Sequence, residues 1–211
     1  MHTNRFARYA TAAAAATLMA ACASSARAPQ EDLQAKAAAV LKASFVARGQ
    51  AELDRLEQDE TQRYCTEAGT KAPAKDVAEK IEKLNLATVQ WPADGKYLGD
   101  WKNGEKVAQE GRGKQYSDDP KGPIGGNCYA CHRLTREEVS FGTIGPSLYQ
   151  FGKLRGYGAD IQKYAYGKVY NAEAYAACTN MPRFGHKGIL TQAQIKDVVA
   201  LLMDPESPVN K

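Results

Sequence analysis

Apolar positions recur along the chain at helical spacing, and no strand-length run alternates apolar with polar. Leu33, Ala37, Val40, Leu41 and Ser44 share one helical face, which predicts helix within residues 30–64. Glu31 and Asp32 fall in its first turn, where negative charge favours a helix start. Gly49 splits the segment, and Leu53 and Leu56 continue a second stripe. Val77, Ile81 and Leu84 predict a shorter helix after Pro73, and Trp91-Pro92 ends that region. Asn103 as a cap predicts a helix from Gly104 to Glu110, stopped by Gly111 and Gly113. A short helix is expected after His132 and another from Asp160 to Tyr170. The last helix carries the strongest marks. Thr191 and Gln194 form a capping box, Ile195, Val198, Val199 and Leu202 share a face, and Pro205 follows the end. The predicted fold class is all-α.

Composition narrows the picture. Of 211 residues, 44% are apolar and 25% charged, the balance of a soluble folded chain. No apolar run reaches the roughly eighteen residues of a spanning helix. Lys plus Arg number 28 and Asp plus Glu 24, a net charge of +4. That excess is too small for the concentrated basic face of a nucleic-acid binder, so no nucleic-acid partner is expected.

The N-terminus reads as an address. Arg5 and Arg8 precede an uncharged, Ala-rich run from Tyr9 to Ala21, and small residues follow around Cys22. This is the layout of a secretory signal, placed at residues 1–22. Two cleavage modes fit it. Leu18-Met19-Ala20-Ala21-Cys22 is similar to a lipobox, which would make Cys22 a lipid anchor; Met19 stands where Leu is usual. Ala21-Cys22-Ala23 is a small-x-small site that would remove Cys22. Either way the mature chain is exported to an oxidising compartment, expected to be the periplasm, with membrane contact only through such an anchor. Loss of Arg5 and Arg8 leaves 26 basic against 24 acidic residues.

Five cysteines remain to be placed: Cys22, Cys65, Cys128, Cys131 and Cys178. Cys128-Tyr129-Ala130-Cys131-His132 is a C-x-x-C-H string, the attachment site of a c-type haem. Two thiols on one turn can add to the two vinyl groups of haem, and the following His can then bond the iron. A redox dithiol wants a βαβ context, and zinc wants about four ligands where the mature chain offers only His132 and His186 beside its thiols. The expectation is one covalently bound haem c. Cys65 and Cys178 read as a disulfide between the N-terminal segment and the haem domain; a reactive thiol at Cys178 is the other reading.

The sixth iron ligand separates electron transfer from small-ligand chemistry. Met181 precedes Pro182 in a loop, where an extended residue can reach across a haem face. Met203 ends the last helix and reads as core or as a frayed end. His186 is the other candidate, and an open site the third possibility. Met181 opposite His132 would leave no free position on the iron, which favours a wire over a reaction centre.

The haem string, Gly145-Pro146-Ser147-Leu148, Met181-Pro182 and the final amphipathic helix together resemble class I cytochrome c. That resemblance implies His132 and Met181 as axial ligands and Pro146 as support of the proximal His through its carbonyl. More narrowly, Gly142 to Leu148, Asn180 to Gly185 and the tail Asp204 to Asn210 are similar to SoxX, the monohaem subunit family of SoxAX cytochromes. The resemblance covers about residues 100–211 and divides the chain into a signal, a helical N-terminal extension at 23–99 and a cytochrome domain at 100–211. It implies a subunit of an L-cysteine S-thiosulfotransferase that couples thiosulfate oxidatively to a carrier cysteine. The catalytic cysteine would lie on the partner, leaving no catalytic residue here. The implied partners are a SoxA-like larger c-type cytochrome, a SoxYZ-like sulfur carrier and a small soluble cytochrome c as electron acceptor. Alternatives are a free-standing monohaem carrier, a small-ligand sensor or peroxidase with a displaceable Met181, and a thiol enzyme using Cys178.

Overall fold

The computed structural model describes residues 30–211, with side chains from residue 33. The signal and Cys22 lie outside the described residues. Among these, the helices are α1 (Gln30–Ser44), α2 (Glu60–Ala68), α3 (Lys75–Leu86), α4 (Trp101–Gln109), α5 (Phe151–Arg155), α6 (Ala159–Tyr170) and α7 (Gln192–Met203). Short 3-10 turns occupy Leu53–Leu56, Cys128–Ala130, Ala172–Ala174 and Pro208–Asn210. The only extended pairing described is an isolated bridge between Arg48 and Ala51. The fold class is all-α, as the periodicity predicts.

Helix α7 forms where its capping box puts it. Thr191 Oγ1 accepts from Gln194 N, and the Gln194 side chain accepts from Thr191 N. Ile195, Val198, Val199, Leu201, Leu202 and Met203 are all buried, each burial worth roughly 1.5–3 kcal/mol. Met203 is therefore core. The tail turns back under the helix end. Ser207 Oγ donates to Leu201 O, and Asn210 Nδ2 to Leu202 O and Asp204 O.

Helix α4 packs across α7 more closely than any other pair. Its start differs from the Asn103 expectation. Asp100 is the cap, its side chain accepting from Lys102 N, so the helix begins at Trp101. Gly104 then sits inside the helix at the crossing, where a Cβ would lie 2.1 Å from Asp197 O. The two backbones touch because this residue has no side chain.

Helix α3 forms after Pro73 as its stripe predicts, with Ile81 buried and Val77 half-buried, although Leu84 is exposed and Asn85 is buried. The short helix expected directly after His132 does not form. Instead residues 133–150 fold back on the haem string, with Gly142 N donating to Tyr129 O, Gly145 N to Cys131 O and Leu148 N to Arg133 O. Those long-range bonds satisfy the backbone groups that a helix would otherwise have paired locally.

Val46–Lys211 forms one compact unit, and α1 belongs to a separate one. Residues 46–99 pack with the haem-motif segment in that unit. Aromatic packing explains this. Tyr166 of α6 stacks among Trp91, Tyr97 and Tyr170, with ring centroids 5.5–6.1 Å away. Its hydroxyl donates to Gln90 O at 3.0 Å. Within α1, the stripe Leu33, Val40 and Leu41 is exposed. No described helix is long and apolar enough to cross a membrane.

Candidate haem site

The C-x-x-C-H string is a single 3-10 turn. Asn127 enters it in the left-handed region, at φ 44° and ψ 49°, a conformation Asn tolerates better than most side chains. The turn spans Cys128–Ala130 and Cys131 closes it, its N–H donating to Cys128 O, so one turn carries both thiols. His132 N donates to Cys128 O at 2.9 Å, which places the imidazole directly after the thiols. Both cysteines are free of disulfides. Burial pushes the Cys128 thiol up to about 12, unlike the acidic thiol of a dithiol redox centre.

Glycines hold the turn against its neighbours. Gly125 and Gly126 donate to Arg112 O and Val107 O, tying the segment to the end of α4. A Cβ on Gly142 would meet Ala130 O at 1.8 Å, and one on Gly145 would meet the His132 ring at 2.2–2.8 Å. The imidazole therefore lies against Gly145, in the space a side chain there would fill. His132 Nδ1 is 2.7 Å from Pro146 O. A carbonyl only accepts, so Nδ1 carries the proton and the Nε2 lone pair is the one free to bind a metal.

Met181 lies in the loop that follows Ala172–Ala174. It packs partly buried against the same apolar core as Cys128, Phe141 and Leu148. The loop is anchored at its far end, where Gly185 N and His186 N both donate to Tyr170 O. His186 is half-buried there. Burial, with the positive charges of Arg183 and Lys187, holds its imidazole below the usual histidine range.

Cys65 and Cys178 are joined in a disulfide, Sγ–Sγ 2.07 Å. It links α2 to the residue three before Met181. Cys178 takes a left-handed backbone, φ 59°, and its N–H donates to Glu173 at 2.7 Å. Of the two readings of Cys178, the paired one is realised. A cleft of about 480 Å³ is lined by Gln58, Thr61, Cys65, Glu173, Met181 and Arg183, among others.

One group of residues near Met181 escaped the sequence reading. Asp59 Oδ2 accepts from Arg183 Nη2 at 2.6 Å and from Lys187 Nζ at 2.8 Å. Burial opposes its ionisation. The bonds from Lys187, Gln62 N and Arg183 outweigh that and hold the carboxyl far below the usual range. The local signal, an Asp59-x-x-Gln62 capping box, is readable in the chain; its partners 124 and 128 positions away are not.

Two thiols on one turn, an imidazole with a fixed tautomer and a glycine-lined approach fit a covalently bound haem. The group would supply a one-electron couple. Cys128 and Cys131 would attach it and His132 Nε2 would be free to bind its iron. No described group of three His, Cys, Asp or Glu side chains converges as a zinc site would require.

Comparison with known proteins agrees with this chemistry. Residues 102–204 match the family described as Cytochrome c. A protein of Aquifex aeolicus (strain VF5) named "Uncharacterized lipoprotein" is 40% identical over 156 residues, 73% of each chain. The chain thus carries a cytochrome c family domain. Its domain at 102–204 implies covalently bound haem c and haem-based electron transfer.

Proposed function

We propose that the chain is an exported, monohaem electron-transfer cytochrome with His132 and Met181 as axial ligands and Cys128 and Cys131 as attachment points. The observation that carries this is the 2.7 Å bond between His132 Nδ1 and Pro146 O, which commits Nε2 to the metal side. A proximal His held this way is oriented before the cofactor is attached, and little need reorganise on electron transfer. A thioether opposite it would raise the reduction potential relative to two imidazoles, which suits an electron acceptor. Met181→Ala tests the assignment. The far-red absorption of a sulfur-ligated ferric haem should vanish, the potential should fall, and carbon monoxide should bind the ferrous protein. An unchanged spectrum would refute Met181 as ligand.

The narrower reading is a SoxX-like subunit of a thiosulfate-coupling complex in the periplasm. The strings Gly142 to Leu148, Asn180 to Gly185 and Asp204 to Asn210 support it. In this role the chain would take electrons released at a SoxA-like partner acting on a SoxYZ-like carrier. It would then pass them to a small soluble cytochrome c. A second reading, a free-standing carrier held at a membrane by a lipid on Cys22, draws support from the relative named as a lipoprotein. Affinity capture from native membranes, with intact masses and a haem count for each chain, separates the two. A stoichiometric larger c-type cytochrome favours the subunit. Elution alone, with one haem and a lipid mass on Cys22, favours the carrier.

A further inference from the structure

Residues 59–88 precede the matched cytochrome domain, yet they grip the segment around Met181 at points on both sides of it. Asn171 Nδ2 donates to Asn85 Oδ1 and Thr88 Oγ1, both at 2.9 Å, and Asn85 Nδ2 donates to Thr61 Oγ1 at 2.8 Å. Asn171 and Asn85 are buried, so this chain of amides fastens α2 and α3 to the start of the Met181 segment. Cys65 then fastens α2 covalently to Cys178, three residues before Met181. Asp59 closes the far side through Arg183 and Lys187, two and six residues after it. The Arg183 side chain is only 10% exposed, and Asp59 is the carboxylate bonded to it. A largely buried guanidinium without that carboxylate would be an uncompensated charge, so the loop position and the pair depend on each other.

We propose that α2 and α3 act as a brace that fixes Met181 from outside the cytochrome domain, with Asp59 as a positioning residue for it. This rests on the reading of Met181 as the distal ligand. The two carboxylate oxygens of Asp59 divide the work. Oδ1 accepts from Gln62 N and caps α2, while Oδ2 holds Arg183 and Lys187. Capping and bracing can therefore be separated by one substitution. Asparagine is as good a cap as aspartate, but would turn an NH2 toward two cationic donors.

The experiment uses the full holoprotein with Asp59→Asn, Asp59→Glu and Met181→Ala. It reads amide hydrogen exchange over residues 179–187 and 60–68, the far-red absorption of the ferric form, the reduction potential and carbon monoxide uptake. In Asp59→Asn, exchange over 179–187 should rise about ten-fold or more while α2 stays protected, because charge-assisted bonds are lost and the cap is kept. The far-red absorption should weaken, the potential should fall, and the ferrous protein should begin to take up carbon monoxide. Asp59→Glu should restore part of each signal. If Asp59→Asn matches wild type in all four readouts while Met181→Ala differs, the brace is refuted and the ligand reading survives. If Met181→Ala itself matches wild type, the ligand reading fails, and the positioning role of Asp59 falls with it.

Discussion

The imidazole of His132 lies against the backbone of Gly145, and its Nδ1 reaches the carbonyl oxygen of the next residue, Pro146, at 2.7 Å. One short turn thus sets both the position and the tautomer of the ring. Gly145 N also donates to Cys131 O, so the turn is tied back to the haem string that it supports.

Gly145→Ala should expel the ring from this position. The new Cβ would meet Cε1, Nδ1 and Nε2 at 2.2–2.8 Å, and an imidazole has no flexible end that could yield. We expect a loss of roughly 1–3 kcal/mol of stability from overpacking, with weakened proximal ligation. Thermal unfolding and the visible spectrum of the holoprotein check this. A variant with wild-type spectrum and melting temperature would mean the ring is not seated on Gly145.

The crossing of α4 and α7 makes a second, independent prediction. Gly104→Ala would place a Cβ 2.1 Å from Asp197 O and 3.0 Å from Leu201 Cβ. Backbone cannot move aside as a side chain can, so the helices must separate, again at roughly 1–3 kcal/mol or more. For a chain of this size each kcal/mol lowers Tm by about 2–4 °C. In an isolated helix the same change would be favourable by about 0.8–1 kcal/mol. A rise in Tm would therefore show that the close crossing is absent.

Glu173 predicts a pH dependence. Burial pushes its carboxyl above the usual glutamate range, against the bond from Cys178 N and the charges of Arg183 and Lys168. As pH rises, the unfolded chain ionises first. The folded state then holds the extra proton, and its stability falls from the ordinary glutamate pKa upward until the raised folded pKa is passed. Glu173→Gln keeps an acceptor for Cys178 N and removes the charge. Urea midpoints across that window should be flatter for the variant and, at neutral pH, at least equal to wild type. A variant clearly less stable at neutral pH would mean that ionised Glu173 stabilises the fold through Lys168 and Arg183.

Legibility in the sequence followed the range of each interaction. The capping box at Thr191 and the stripe through Ile195, Val198, Val199 and Leu202 lie within three turns, and α7 forms as they predict. The α4 start was misplaced because Asp100 and Asn103 are both good caps. Asp100 N is itself held by Asp197 Oδ1, 97 positions away, and that bond has no local signal. The helix expected after His132 failed for the same reason: its backbone partners are Tyr129, Cys131 and Arg133, across a loop rather than one turn away.

What the sequence determined by itself is the chemistry whose geometry is local. Two thiols three residues apart, followed by His132, need only one turn to present themselves together. Helix periodicity likewise needs only neighbours at three and four residues. Tertiary structure alone decided that Trp91 and Tyr97 pack on α6, because their rings find Tyr166 only after the helices pack. It also decided that Asp59 meets Arg183 across 124 residues. Such contacts are made only once loop closure has been driven by burial elsewhere, so no short stretch of sequence encodes them.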